Sequence, residues 1–91
     1  MIEAGQRVTI TAAVQGTCRG IVESVTTPDN LPDLGEIKAA PAREVLQEWT
    51  ATHLAVITYH DGRRDLTFCA FRIAGNWYDL HRQRLEIEPI P

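Results

Sequence analysis

Two consecutive stretches in the second half of the chain, HLAVITYH (residues 53–60) and DLTFCAFRI (residues 65–73), are apolar on both faces near their centres. Val56 stands beside Ile57 in the first stretch, and the second is apolar without interruption from Phe68 to Phe71. Strands with this pattern lie centrally in a sheet and are covered on two sides. Asp61-Gly62 between them is the strongest short hairpin signal in the chain, and we expect a positive φ at Gly62.

A second hairpin is predicted over residues 7–26. Val8 and Ile10 begin a series of apolar side chains at every second position, the period of a strand that buries one face. Residues 15–17 supply the turn, and the second strand runs from about residue 18 to residue 26. Alternation places Val22 on one face of that strand and Val25 on the other. Gly20 lies inside it, where glycine marks a bulge or a close approach of another backbone.

The remaining segments change character twice. Residues 27–41 contain three prolines and read as a long loop. PAREVLQEW (residues 41–49) carries one apolar helical stripe, formed by Ala42, Val45, Leu46 and Trp49. Pro41 suits the first helical position. Two short strands follow the central hairpin, WYDL (residues 77–80) and RLEIEPI (residues 84–90).

These elements predict a single α+β domain spanning residues 1–91. Short connections among the last strands imply an antiparallel sheet, and two-sided burial implies that its five to six strands are strongly bent or close into a small barrel. One short helix is inserted after the first hairpin. Phe68 and Phe71 lie on opposite faces of one strand, so one of them must meet the helix or a partner chain. Because one short helix offers little cover, we expect self-association, as a homodimer or another homo-oligomer.

Glycine and branched residues in the first quarter of the chain follow the spacing G-x-x-V-x-I and then G-x-x-x-G-x-V-x-x-V, formed by Gly5, Val8, Ile10, Gly16, Gly20, Val22 and Val25. This spacing resembles the opening hairpin of SH3-like small β-barrels, including the KOW type. The resemblance implies a strongly bent sheet that binds through its loops. Two features depart from it: a helix interrupts the strand order, and the first hairpin carries only Arg7 and Arg19 as basic residues.

The charge and cysteine content favour some classes of protein over others. The formal net charge is −3, which does not indicate a general attraction to nucleic acid or to anionic lipid. The sequence shows no signal peptide, and no apolar stretch approaches the roughly 18 residues that span a bilayer. Cys18 and Cys69 form no CxxC pair and lie in apolar-alternating stretches, as free thiols do in a reducing compartment. We expect a cytoplasmic protein that does not bind membranes.

The residues that could support catalysis or hold a metal are scattered. His53 and His60 are predicted at opposite ends of one strand, more than ~20 Å apart at about 3.3 Å per residue, which argues against a shared metal site. The sequence contains no GxSxG elbow, phosphate loop or dinucleotide fingerprint. We therefore expect no catalytic residue, no metal and no cofactor. An enzyme that acts on a small molecule through His60 or His81 is kept as an alternative.

Binding is predicted at two arginine-bearing turns, because arginine, tyrosine and tryptophan are enriched at binding hot spots. The hairpin between the central strands does not require its arginine pair, which is thus left for recognition or solubility. Trp77 and Tyr78 are adjacent and point to opposite sides, so one of them should be exposed beside the arginines of the last turn. The predicted binding residues are His60, Arg63, Arg64, Trp77, Tyr78, His81 and Arg82.

The favoured function is a small non-enzymatic binding or protein-interaction module. The alternative is a nucleic-acid-binding barrel, in which arginines contact phosphates and Trp77 or Tyr78 stacks on bases. The small-molecule enzyme named above is the second alternative. The candidate residues also have an interpretation without any ligand, in which Trp77 packs in the core and the arginines are only solvated.

Overall fold

The computed structural model describes residues 1–13, 16–28 and 43–91. The predicted long loop and the predicted helix start at Pro41 lie largely outside these residues. Within the described ranges the chain forms six strands and one short helix. They are β1 (Arg7–Ala12), β2 (Gly16–Thr26), α1 (Arg43–Glu48), β3 (His53–His60), β4 (Asp65–Ile73), β5 (Asn76–Tyr78) and β6 (Arg84–Pro89).

The six strands form a closed antiparallel barrel in chain order, with β6 pairing back onto β1. The prediction of a small barrel is therefore confirmed, and the helix is a minor part of the architecture. Strands that run alternately up and down place every second connection at the same end. The β1–β2, β3–β4 and β5–β6 turns thus share one end of the barrel, which we call the hairpin end. The opposite end holds the β4–β5 turn and both chain termini.

Apolar side chains from all six strands fill the barrel interior, because alternate residues of each strand point inward. Ile57, in the middle of β3, is fully buried, and burial of one such side chain contributes roughly 1.5–3 kcal/mol. Ile2 precedes the barrel and adds its side chain to the same cluster. The buried members are Ile2, Val8, Ile10, Val22, Ala55, Ile57, Ala70, Trp77 and Leu85.

A second apolar cluster covers the outer face of the β3–β4 hairpin. Leu46 of α1 packs there on Leu54 and Phe71, and all three side chains are fully buried. The Trp49 ring meets the Phe71 ring edge-on, with 5.4 Å between centroids. Phe68, on the other face of β4, packs against the interior cluster. The prediction that these strands are covered on two sides is confirmed.

Coverage of this outer face bears on self-association. That expectation relied on apolar sheet surface left over after one short helix had packed. In the single chain Leu54 is fully buried, and Val56 and Cys69 are only 7% and 8% exposed. The outer face of β3–β4 is therefore covered within the single chain, and self-association stays a prediction.

A shift in register corrects the predicted faces of β2. The pairing of β2 with β3 slips between Val22 and Ser24. As a result Val22 opposite Ile57 and Val25 opposite Ala55 both point into the barrel, although simple alternation placed the two valines on opposite faces. A bulge of this kind adds a residue to one strand and bends it, which suits a strand in a small barrel.

Gly20 marks the close backbone approach that was one of its two predicted roles. A Cβ atom built on Gly20 would lie 2.7 Å from the carbonyl oxygen of Thr58 on β3. The bulge itself lies further along β2, between Val22 and Ser24. Glycine at this position therefore lets β2 and β3 cross closely where the barrel wall bends.

The short helix ends in a Schellman motif. The N–H of Ala51 donates to the carbonyl of Leu46, and the N–H of Thr50 donates to that of Gln47. Thr50 has φ 55, a left-handed conformation that glycine usually supplies here. Ala51 is buried in the same cluster as Leu46, the apolar contact that accompanies this cap. The cap and this contact stabilise a helix of only six residues.

Candidate functional site

The predicted binding residues fall into two separate groups at the hairpin end. His60, Arg63 and Arg64 belong to the β3–β4 tip, residues 60–65. The others belong to β5 and to the β5–β6 turn, residues 79–83. Tyr78 pairs with Phe71, which is six residues along β4 from Asp65. At about 3.3 Å per residue this is about 20 Å of strand, which separates Tyr78 from the β3–β4 tip.

The β3–β4 tip is organised around the side chain of Asp61. Its Oδ1 accepts hydrogen bonds from the backbone N–H groups of Arg63 (2.9 Å) and Arg64 (3.1 Å). The Asp61 N–H donates to the Arg64 carbonyl across the turn, and Gly62 has φ 97, which confirms its predicted positive φ. The two backbone hydrogen bonds, with smaller contributions from the charges of Arg64 and His60, hold the pKa of Asp61 below its ordinary value.

The second acid of the tip also has a partner within the chain. Asp65 Oδ1 lies 3.1 Å from His60 Nδ1, and both side chains are exposed. By contrast, no ion pair or side-chain hydrogen bond joins the guanidinium of Arg63 or Arg64 to any residue that the structure describes. One carboxylate oxygen of each acid is thus engaged within the tip, and the two arginine side chains are exposed as donor-rich cations.

Trp77 is placed differently from its neighbour in sequence. Its side chain points into the barrel and is only 7% exposed, within the interior cluster. The Arg72 guanidinium lies 5.8 Å from the centre of its ring. Tyr78 points to the outer side, opposite Phe71, and is half-buried. The indole is thus a core group, and only Tyr78 of the two offers part of a surface.

The β5–β6 turn is wrapped around Asp79. Its Oδ1 accepts hydrogen bonds from the N–H groups of His81 (2.9 Å) and Gln83 (2.8 Å). Arg82 has φ 62, and its guanidinium lies 5.7 Å from the centre of the Trp49 ring. This cation–π contact joins the turn to the end of α1. No local pattern could have revealed it, because the two residues lie far apart in the chain.

The chemistry of catalysis and metal binding has little support in the geometry. His53 and His60 stand at the two ends of β3, as predicted. Across residues 1–13, 16–28 and 43–91, no three histidine, cysteine or acidic side chains lie close enough to hold a metal ion. Burial raises the pKa of both the Cys18 and the Cys69 thiols, which disfavours the nucleophilic thiolate.

Two shallow cavities flank the N-terminal segment at the end opposite the hairpins. Ile2 is 3% exposed and enters the barrel there, while Met1 is exposed. One cavity, of about 260 Å³, is lined by Arg72, Trp77 and Arg84 among others. The other, of about 400 Å³, lies beside Val25, Thr26 and His53. In the described part of the chain, no helix is long and apolar enough to cross a membrane.

Comparisons of the chain with protein-family models, with curated proteins and with solved structures found no match.

Proposed function

We propose that this protein is a small non-enzymatic binding module that holds an acidic segment of a partner protein at the β3–β4 tip. The observation that carries the proposal is the tip itself. Asp61 and Asp65 are engaged by backbone N–H groups and by His60, whereas the Arg63 and Arg64 guanidinium groups meet no acid within residues 1–13, 16–28 and 43–91. A rigid turn that presents arginine forks suits carboxylate recognition.

The architecture supports the same function. A small closed barrel with a filled interior leaves its connecting turns as the surfaces that can vary. This is the arrangement that the resemblance to SH3-like barrels implies, since those barrels bind through their loops. An enzyme that uses cysteine or histidine is less well supported, because burial raises the pKa of both thiols and His53 and His60 stand at opposite ends of β3.

Nucleic-acid binding is the less favoured reading, for a structural reason. It needs exposed aromatic faces beside the arginines, on which bases can stack. Trp77 is buried inside the barrel, and the half-buried Tyr78 lies about 20 Å of strand away from the β3–β4 tip. Tyr59 and Phe68 do lie next to the tip, but both are half-buried and their rings pack edge-on against each other. The overall charge of −3 also gives no general attraction to phosphates.

The proposal is tested by titration at low ionic strength, followed by NMR chemical-shift changes. One probe is a short peptide of alternating glutamate and valine, and the other is a single-stranded thymidine oligomer. We expect the peptide to shift residues 60–65. We expect the double variant R63Q/R64Q to bind it about tenfold more weakly, because each exposed charge pair is worth up to about 1 kcal/mol.

The matched control is R7Q/R84Q, which removes the same charge from other surfaces of the barrel and should bind like the natural chain. Equal weakening by both double variants would mean that only net charge matters, and would contradict a site at the tip. Binding of the oligomer but not the peptide would replace the proposal with the nucleic-acid reading. A concentration-dependent rise in mass without any probe would instead show self-association.

A further inference from the structure

β4, with nine residues, is three times as long as its neighbour β5, which has three. Its pairing with β3 runs the whole way from Asp65 to Arg72, but its pairing with β5 begins only at Phe71. Among the residues that the structure describes, none pairs with the other edge of β4 between Asp65 and Ala70. The N-terminal half of β4 therefore projects beyond the closed part of the barrel wall, with the arginine tip at its end.

The direction of the backbone groups along this half follows from the ladder. The Asp61 N–H donates to the Arg64 carbonyl, so Arg64 faces β3. Alternate residues of an antiparallel strand bond to opposite neighbours. Leu66 and Phe68 thus bond toward β3, whereas Asp65 and Thr67 direct their N–H and C=O groups to the unpaired edge.

Exposure defines the usable length of this edge. Asp65 and Thr67 are exposed, and Leu66 and Phe68 are half-buried. Cys69 is only 8% exposed, so the edge closes there. The Phe68 ring meets Tyr59 edge-on at 5.6 Å, and the Thr67 hydroxyl lies 3.1 Å from that of Thr58. These contacts hold the projecting half of β4 as a preformed template.

We propose that the partner segment binds as an added strand along the β4 edge from Asp65 to Phe68, with its acidic residues at the Arg63–Arg64 end. This inference rests on the proposed function and states how the acidic segment lies. Strand addition supplies main-chain hydrogen bonds, and a charged neighbour supplies specificity. The partner is therefore an extended acidic segment of another protein.

A second copy of this chain fits the edge less well. Suppose that two β4 edges paired antiparallel, with Thr67 of one copy opposite Thr67 of the other. The arginine tip of each copy would then lie opposite Phe71 of the other copy. β5 already occupies that position through Tyr78. The approaching residues are also arginines, so no charge complementarity favours the arrangement.

The test compares two substitutions at Thr67 with the glutamate–valine peptide as probe. Thr67→Val and Thr67→Pro both remove the hydroxyl contact with Thr58, but only proline removes the N–H that points to the unpaired edge. We expect T67V to bind like the natural chain and T67P to bind about tenfold more weakly. In the natural chain, the Thr67 amide should exchange with solvent more slowly once the peptide is bound, a measurement that does not depend on either variant folding.

The outcomes separate the two proposals. If R63Q/R64Q weakens binding while T67P and T67V bind alike, and the Thr67 amide gains no protection, the site at the tip stands and strand addition is overturned. If the peptide does not bind at low ionic strength, both proposals fall. A dimer in sedimentation that T67P abolishes and T67V retains would show a second copy on this edge, and would overturn the acidic segment as its occupant.

Discussion

The substitution Gly20→Ala tests whether the close crossing of β2 and β3 is required by the fold. The new methyl group would lie 2.7 Å from the Thr58 carbonyl oxygen, 3.1 Å from Ile57 Cγ2 and 3.3 Å from Ile10 Cδ1. Ordinary contacts between non-bonded carbon atoms lie at about 3.5–4.0 Å. The nearest atom belongs to the backbone of a central strand, so it cannot move without shifting the β2–β3 ladder.

The expected loss of stability follows from two opposing effects. Overpacking of this kind costs about 1–3 kcal/mol. Replacing glycine by alanine restricts the unfolded chain and returns about 0.4–1 kcal/mol. The net loss is about 1–2 kcal/mol, which lowers Tm by about 4–16 °C in a domain of this size. Thermal and urea unfolding followed by circular dichroism should show a lower midpoint with an unchanged dependence on denaturant.

A second substitution separates the backbone contact from the side-chain contacts. Ile10→Val deletes the Cδ1 atom that lies 3.3 Å from the new methyl group, but leaves the Thr58 oxygen where it is. The loss of unfolding free energy in the double variant G20A/I10V should therefore be close to the sum of the losses in the two single variants. The reasoning is refuted if G20A is as stable as the natural chain, or if I10V restores its full stability.

Four further predictions concern single side chains. Thr50→Gly should raise the unfolding free energy by about 1 kcal/mol, because Thr50 has φ 55 at the end of α1; thermal unfolding checks this. Ala74 (φ 51) and Gly75 (φ 82) are the two central residues of the β4–β5 turn, and a turn with positive φ at both positions prefers Asn-Gly. Ala74→Asn should therefore raise Tm by about 4–8 °C, and an unchanged Tm would contradict this turn type. Iodoacetamide should label Cys18 before Cys69, because Cys69 is the more deeply buried thiol, and mass spectrometry of the labelled peptides would reveal the reverse order. Folding lowers the pKa of Asp61, so the ionised carboxylate stabilises the fold above about pH 4, and this stabilisation is lost as the pH falls through the folded-state pKa. The difference in unfolding free energy between the natural chain and Asp61→Ala should therefore shrink in acid. A difference that grows in acid would contradict this reasoning.

Local patterns in the chain were enough to predict the parts of the fold that depend on neighbouring residues. The alternation of Val8 and Ile10, the double-sided apolar centres of β3 and β4, and the positive φ at Gly62 all follow from a period of two and from turn chemistry. The need to bury two faces of one hairpin then required a curved sheet with cover outside it. The β3–β4 tip was also visible as a candidate site, because its turn does not require the Arg63–Arg64 pair.

Contacts between distant segments decided the remainder. The register slip after Val22 brings Val25 into the barrel, because closure of the wall outweighs simple alternation in β2. Closure of the barrel also places Trp77 in the interior cluster and brings Arg82 into contact with Trp49. Within the described ranges, one edge of β4 lacks a partner because β5 stops at Tyr78, a mismatch in strand length that no single segment encodes. Alternation and turns act over a few residues, whereas register, closure and open edges are set by which strands meet in the folded chain.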